Sequence, residues 1–377
     1  MKAVVLSCNT GGGHNAAAHA IAEAMTQRGH QAYVLDYLTL AGENVSKAVG
    51  DSYIQLVQRT PKAFGAVYDL GMAVSTHMER SPVYYANAAM ARYLREYFVQ
   101  NPVDVIFATH LYPAETLTWI RRHGESLPPV IAVATDYTCI PFWEETDCDR
   151  YVIPHEDLID QFAARGVPAE KLCPLGIPVS PAYAVPVTAA EARAKLSLPQ
   201  DKKLYLIVGG SMGAGNLGRL TDDVSRLTGE EAELLVICGS NESMQKRLTA
   251  RFHRDPRIRI LGKTDQMRLL LAACNVLFTK PGGLTSTEAV AARIPLVHTE
   301  PIPGCETENR NFFLRHGLSV TGKTIRAQAR AGRMLVEDEG ARNEMLRAQC
   351  SVLHCDAAES ICKLAETLQK DRGLTTE

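Results

Sequence analysis

In TGGGHNAAAHAIAEAM, residues 10–25, three glycines and a histidine separate the apolar run Ala3–Leu6 from an alanine-rich stretch whose Ala17, Ile21, Ala24 and Met25 recur at helical spacing. The pattern predicts a strand, a turn and a helix, with His14 at the helix start. The positive end of a helix dipole disfavours an imidazolium, so the ring stays neutral near pH 7 and can accept a proton. A cap, or a ligand contact without proton transfer, is the other use for a histidine in that place. His19 lacks the three- or four-residue spacing that would pair it with His14, and is expected on the helix surface.

Glycine lets a backbone come close to a ligand, and the first turn of the next helix offers unpaired N–H groups, so a glycine turn after a strand suits phosphate. Three such junctions occur, at 11–13, 209–215 and 282–283. In KPGGLTSTEAVAARIPLV, Thr285 can cap the helix and Glu288 falls one turn inside it. A carboxylate there can take both hydroxyls of a ribose while the helix start holds phosphates, which points to a nucleoside diphosphate. A glutamate that only complements the dipole is the plainer reading. A nicotinamide dinucleotide fits less well: Asp36 ends the second strand where a ribose-binding carboxylate would stand, yet TGGGHNAAA is not GxGxxG and the His14 ring would crowd a pyrophosphate. Asp147 and Asp149 form a DxD that precedes a strand and reads as a solvated turn, not a metal site.

The elements that must position these residues are legible as apolar runs. Strands are expected at Ala3–Leu6, Gln31–Asp36, Val103–Ala108, Val130–Ala134 and Tyr151–Ile153, and again at Leu204–Val208, Leu234–Cys238, Arg257–Leu261, Val276–Thr279 and Pro295–His298, with helices between them. The later helices are expected from Thr264, Thr285 and near Glu306. Continuous runs flanked by helices fit parallel sheets buried on both faces, so the fold class is α/β with two doubly wound, Rossmann-like domains. The first domain is placed at 1–183, a proline-rich linker at 184–195, the second domain at 196–345 and a helical clasp across the domains at 346–377. Residues 47–100 are helical in character, interrupted by Pro61 and Pro82, and rich in Phe and Tyr.

The chain has 377 residues and a formal net charge of -2, with an acidic first half and a mildly basic second. That argues against nucleic acid, whose phosphates want a concentrated basic face. Ten cysteines without a CxxC pair suggest neither a zinc ribbon nor a disulfide scaffold, and reduced cytosolic thiols are expected. No signal peptide is read before the first strand, and no run approaches the ~18 apolar residues of a membrane span, so a soluble or peripheral protein is expected.

SCNTGGGHNAAAHAI, ATDYTCIPFWEETDCDRYVIPHEDL, LGIPVSPAY, GGSMGAGNL, KPGGLTSTEAV and PIPGCETEN, in that order, resemble the monogalactosyldiacylglycerol synthases and processive diacylglycerol glucosyltransferases, inverting enzymes more distantly related to the lipid II N-acetylglucosaminyltransferase. The resemblance implies a GT-B fold, two Rossmann-like domains facing across a cleft, with the nucleotide sugar in the second and the acceptor in the first. It implies transfer of glucose or galactose from UDP-glucose or UDP-galactose to a diacylglycerol at the cytosolic face of a membrane, where the protein is peripheral. A soluble acceptor, or a UDP-sugar-binding regulator with little turnover, are the alternatives. An inverting displacement needs a base and stabilisation of departing UDP, not a covalent nucleophile or a metal. His14 takes the base role and Asp136, matching a Thr-Asp pair, orients it or the acceptor. Gly12, Gly13, Tyr137 and Phe142 are the expected acceptor contacts. The donor is expected at Gly210, Ser211, Gly239, Gly262, Thr264, Lys280, Gly282, Gly283, Thr285, Glu288, Glu306 and Asn309. Cys305 stands where these relatives usually carry glutamine, and a thiol is the weaker partner for sugar hydroxyls. The segment 47–100, with six Lys and Arg against four Asp and Glu, is the candidate membrane contact.

Overall fold

The computed structural model describes the chain apart from residues 10, 60, 79 and 375–377 and, within helices, the side chains at 53–54, 56–59, 61–64, 76–77 and 373–374. The chain divides into two units. The first comprises Met1–Ala182, Pro303–Cys305 and Asp356–Glu377; the second comprises Tyr183–Ile302 and Glu306–Cys355.

In the first unit, β1 (Lys2–Ser7), β2 (Gln31–Asp36), β3 (Val105–Ala108), β4 (Val130–Val133), β5 (Arg150–Val152) and β6 (Leu172–Cys173) form a sheet of order β2-β1-β3-β4-β5-β6. All pairings are parallel, with Val4 opposite both Tyr33 and Ile106. Val4, Val5, Leu6, Ile106 and Phe107 are wholly buried, as a sheet covered on both faces requires. β6, two residues long, is too short to announce itself by pattern. The helices are α1 (Gly12–Gln27), α2 (Glu43–Arg59), α3 (Pro61–His77), α4 (Pro82–Ala88), α5 (Ala91–Gln100), α6 (Leu111–Arg122) and α7 (Ile159–Ala164). Pro61 and Pro82 each begin a helix, where a missing N–H costs nothing. Ala17, Ile21, Ala24 and Met25 form the buried stripe of α1, and His19 is exposed.

The second unit contains α8 (Ala189–Lys195), β7 (Lys203–Val208), α9 (Leu217–Thr228), β8 (Ala232–Ile237), α10 (Glu242–Phe252), β9 (Ile258–Leu261), α11 (Met267–Ala273), β10 (Val276–Thr279), α12 (Gly283–Ala291), β11 (Leu296–His298), α13 (Cys305–Arg315), α14 (Ile325–Glu337) and α15 (Glu339–Val352). Its parallel sheet runs β11-β10-β7-β8-β9. The span 184–195, expected as linker, holds α8. A capping box fixes its start, Thr188 accepting from Glu191 N and the Glu191 carboxylate from Thr188 N. Arg193 then ties it down by bonds to the carbonyls of Ala273 and Gln200 at 2.9 Å each. The T-A-A-E signature was in plain sight behind the prolines.

The final helix, α16 (Ala357–Leu374), belongs to the first unit, whereas α15 belongs to the second, so the span expected as a single clasp is shared out. Ile361, Cys362 and Ala365 are buried in one cluster with Ala18 and Ile21 of α1. Arg28 meets Glu366 through two bonds of 2.8 and 2.7 Å.

In each sheet the chain winds outward in both directions from one point, between β1 and β3 in the first unit and between β10 and β7 in the second. Loops leaving the carboxyl ends of those strands diverge and open a crevice, the usual ligand position in such sheets.

Candidate active site

At the first crevice, α1 follows β1 and delivers His14, while β3 runs into Thr109 and His110. The His14 Nδ1 lies 2.9 Å from the Thr109 carbonyl and 3.0 Å from the Thr135 hydroxyl. A carbonyl only accepts, so Nδ1 carries the proton and Nε2 of the neutral ring keeps its lone pair. The Thr109 hydroxyl bonds back to the carbonyl of His14 at 3.1 Å. The His110 ring packs edge-on to His14, centroids 4.5 Å apart, and its Nδ1 accepts the Tyr112 N–H at the start of α6. Burial lowers the pKa of His14, against the pull of the Asp136 charge and of the bond to Thr109. Burial, then the neighbouring His14, pushes His110 well below the usual histidine range.

These groups border a cavity of about 270 Å³ whose lining residues all belong to the first unit. Asp136 is in its wall, with Tyr68 of α3, Val83 of α4, Phe142, Trp143 and Cys305 among the rest. Phe142 has φ 77, a left-handed conformation that a bulky residue adopts only under constraint from its surroundings. The segment 303–305 reaches the cavity by packing on α3. Gly304, at φ +113, lies so close that a Cβ would stand 3.0 Å from the Tyr68 ring.

Of the residues expected to contact the acceptor, Phe142 lines this cavity. Gly12 and Gly13 lie in the first turn of α1 and are not among the lining residues. Tyr137 is turned inward, 2% exposed, and is also absent from the wall. Sequence reasoning missed Thr109, His110 and Thr135; the run VIFATH, ending in polar residues beside the switch point, was the signal for the first two. Asp36 accepts from Leu38 N at 3.2 Å and from the Ser46 hydroxyl, a local cap and not a ribose site. The DxD is likewise occupied. Asp147 pairs with Lys171 at 2.8 Å, and Asp149 takes Arg121 at 2.5 Å and the Val130 N–H at 2.7 Å.

At the second crevice the loops after β7 and β10 meet. The Lys280 side chain lies over Gly210, where a Cβ would come within 2.7 Å of its Cε, and its Nζ would stand 3.5 Å from a Cβ at Gly282. The ammonium is thus held between two glycine turns, paired with Glu306. The other Glu306 oxygen accepts the Ile302 N–H at 2.9 Å. α12 starts from Gly282 with no side-chain cap, so Thr285 lies inside the first turn and does not cap it, while Gly283 is the first helical residue. The uncapped N–H groups and Lys280 together make an anion-binding cradle.

Asn309, expected to touch the donor, is wholly buried and donates to the Pro281 carbonyl at 3.0 Å. It braces the KPGG turn from beneath. Gly239 packs the β8 loop on the β7 loop, where a Cβ would come 2.4 Å from the Ser211 carbonyl, and that carbonyl accepts the Ser240 N–H at 2.9 Å. Gly262 and Thr264 follow β9, the edge strand, two strands from the crevice. The Thr264 hydroxyl takes the Gln266 N–H, which delays the helix expected there to Met267. Glu288 is half-buried in α12, and burial pushes its carboxyl up to about 7. On the inner side, His298 bridges the hydroxyls of Ser286 and Ser319 at 2.9 and 3.0 Å, and burial holds it at about 3, a neutral clamp on α12.

Residues 14–179 match the monogalactosyldiacylglycerol (MGDG) synthase family, and residues 188–349 match glycosyl transferases group 1. A processive diacylglycerol beta-glucosyltransferase of Staphylococcus saprophyticus is 28% identical over 62% of this chain and 59% of its own. One of Bacillus cereus is 24% identical over 96% of this chain and 92% of its own. Among solved structures, MurG of Acinetobacter baumannii superposes with a TM-score of 0.62 at 16% identity, covering 97% of this chain and 100% of that one. The calicheamicin glycosyltransferase CalG4 gives 0.62 at 12%, covering 99% and 98%. At such identities the likeness establishes the fold, GT-B.

Proposed function

We propose that the chain is a glycosyltransferase of the MGDG synthase kind, in keeping with the two family matches, and that it moves glucose or galactose from the UDP-sugar to the hydroxyl of a diacylglycerol, inverting the anomeric carbon. The acceptor O–H gives its proton to His14 Nε2 as its oxygen bonds to the anomeric carbon, and the bond from that carbon to the phosphate oxygen breaks, its electron pair leaving with UDP. Asp136 stabilises the imidazolium that forms. The diphosphate rests on the start of α12 beside Lys280, which offset the leaving charge without calling for a metal, and Glu288 takes the ribose hydroxyls. One observation carries the reading: the Thr109 carbonyl fixes His14 in the tautomer of a base, at the edge of a cavity walled largely by apolar side chains.

The apolar wall suits a lipid, and the same helices suit its surface. Val67, Leu70, Met78 and Tyr85 are exposed on or beside α3 and α4, 48–63% of each. Of the described aromatics in 47–100, Tyr84 is wholly buried, Tyr85 is exposed, and Tyr68, Tyr93, Tyr97 and Phe98 are half-buried, while Tyr53 and Phe64 lie outside the described side chains. Val67, Leu70 and Met78 therefore join Tyr85 as the expected contacts. Among the described residues no helix is long and apolar enough to cross a membrane.

The test mixes the enzyme with UDP-glucose or UDP-galactose and dispersed dioleoylglycerol. UDP release with a glycolipid is expected; release only with soluble acceptors, or binding without release, defeats the lipid reading. Val67→Ser with Leu70→Ser should lower co-sedimentation with anionic vesicles about 10-fold. Unchanged sedimentation removes α3 from the contact.

A further inference from the structure

The cavity beside His14 also bears on which part of the lipid is read, an inference that rests on the acceptor reading above. Beyond its hydroxyl, a diacylglycerol carries two ester groups whose carbonyl oxygens accept hydrogen bonds and cannot donate them. Drawn out of water into a largely apolar hole, each costs free energy unless a donor meets it. The cavity, about 270 Å³, is on the scale of glycerol with its ester groups and far short of two acyl chains. The esters are therefore the part of the lipid, after the hydroxyl, that this wall can address.

Three donors in the wall are not engaged. Tyr68, Tyr112 and Trp143 all line the cavity. Among the described residues their two hydroxyls and the indole N–H have no hydrogen-bond partner, and none of the three is sealed off as the Tyr84 hydroxyl is. Each belongs to a ring that its surroundings fix. A Cβ on Gly304 would stand 3.0 Å from the Tyr68 ring, so that ring is pressed by backbone. The Tyr112 ring meets His110 edge-on with centroids 4.5 Å apart. Trp143 is 3% exposed and edge-on to Tyr151 at 6.4 Å. Burial raises the pKa of both phenols, that of Tyr112 to about 12, so both stay protonated and able to donate, as an indole N–H always is. The threonine hydroxyls of the wall are engaged already: Thr135 at the His14 ring, Thr109 on the His14 carbonyl, and Thr138 accepting from Gln161 at 3.1 Å. We propose that Tyr68, Tyr112 and Trp143 hold the ester carbonyls of the acceptor, so that the enzyme selects ester-linked over ether-linked glycerolipids. An ether lipid has no carbonyl to offer, and its oxygens leave the three donors poorly paired in the complex.

Purified enzyme is given the active UDP-sugar with dioleoylglycerol or with the dioleyl diether of glycerol in mixed micelles, two acceptors alike in chains and hydroxyl. The expected kcat/KM is at least about 10-fold lower for the diether. A smaller difference overturns the proposal and leaves the acceptor reading standing. Transfer to neither lipid overturns both. A difference in how the two lipids pack in the micelle would be blind to the wall, so the pair is measured again with altered enzymes whose folding is checked by thermal unfolding. Tyr68→Phe combined with Tyr112→Phe keeps the rings and removes the hydroxyls, and Trp143→Phe removes the N–H. Each is expected to narrow the ester-to-ether ratio about 3-fold or more. A folded variant of either kind that keeps the full ratio takes the selection away from these donors and overturns the proposal.

Discussion

At the β1/β3 crevice of the first unit the polar atoms belong to side chains, His14, His110, Asp136 and Thr135 among them, set in a mostly apolar wall. At the β7/β10 crevice of the second they belong largely to backbone, two glycine turns and an uncapped helix start with Lys280 between them. Both sheets are wound by the same rule, so the topology places a ligand in each without choosing its chemistry. That choice is made by the loop at the carboxyl end of each strand. A side chain in an apolar hole can be tuned to hold or release a proton, whereas backbone N–H groups cannot titrate and serve a charge that is always present. On the function proposed, the first crevice serves proton transfer and the second an anion.

The sharpest way to break that division is to exchange the expected losses. His14→Ala should depress transfer by about 100-fold to 10,000-fold and leave UDP affinity, read by calorimetry, nearly intact. A large loss of UDP affinity would place the nucleotide against the imidazole and erase the distinction. Gly239→Ala should do the reverse. Its Cβ would collide with the Ser211 carbonyl at φ +56, so the β7 and β8 loops must part. UDP affinity is expected to fall about 10-fold with about 1–3 kcal/mol of stability. Normal UDP binding in a folded variant would show that the β7 loop does not shape the cradle.

How much of this was legible beforehand differs between the two crevices for a physical reason. Glycine turns and strand-end lysines are consecutive in sequence, so KPGG and GGSMGAG declare the second crevice by themselves. The first is assembled from β1, β3, β4 and α3, whose residues are far apart in the chain. His14 stood out by its glycines, but its anchor Thr109 is 95 residues away and nothing local marks it. Cys305 joins the same cavity from a segment whose neighbours on both sides belong to the second unit. Asn309 shows the same limit: it is buried and donates to the Pro281 carbonyl, a contact that its place in a motif does not announce.

A smaller effect tests Glu288, the group proposed for the ribose. With its carboxyl near 7, Glu288 is mostly ionised at pH 8 and mostly protonated at pH 6. The charged form is the stronger acceptor for ribose hydroxyls. UDP affinity should therefore weaken as pH falls through 7, and Glu288→Gln should abolish that dependence at a cost of about 10-fold at pH 8. A pH-independent affinity in the parent enzyme would move the ribose elsewhere.

The smallest expected change concerns the pair in the first crevice. Burial lowers the His14 pKa and the Asp136 charge partly restores it. The ring is active when neutral, so the rate falls as pH drops through that lowered value, and the acid limb of kcat/KM should lie below the ordinary histidine pKa of about 6.5. Asp136→Asn removes the charge that opposes burial, and the limb should move to still lower pH. The plateau should drop as well, because a less basic imidazole is a poorer base and its cation loses its partner. If the limb stays in place while the plateau falls, Asp136 positions the acceptor and not the proton. If the limb moves upward, the Asp136 charge does not support the His14 cation, and the pairing proposed for them fails.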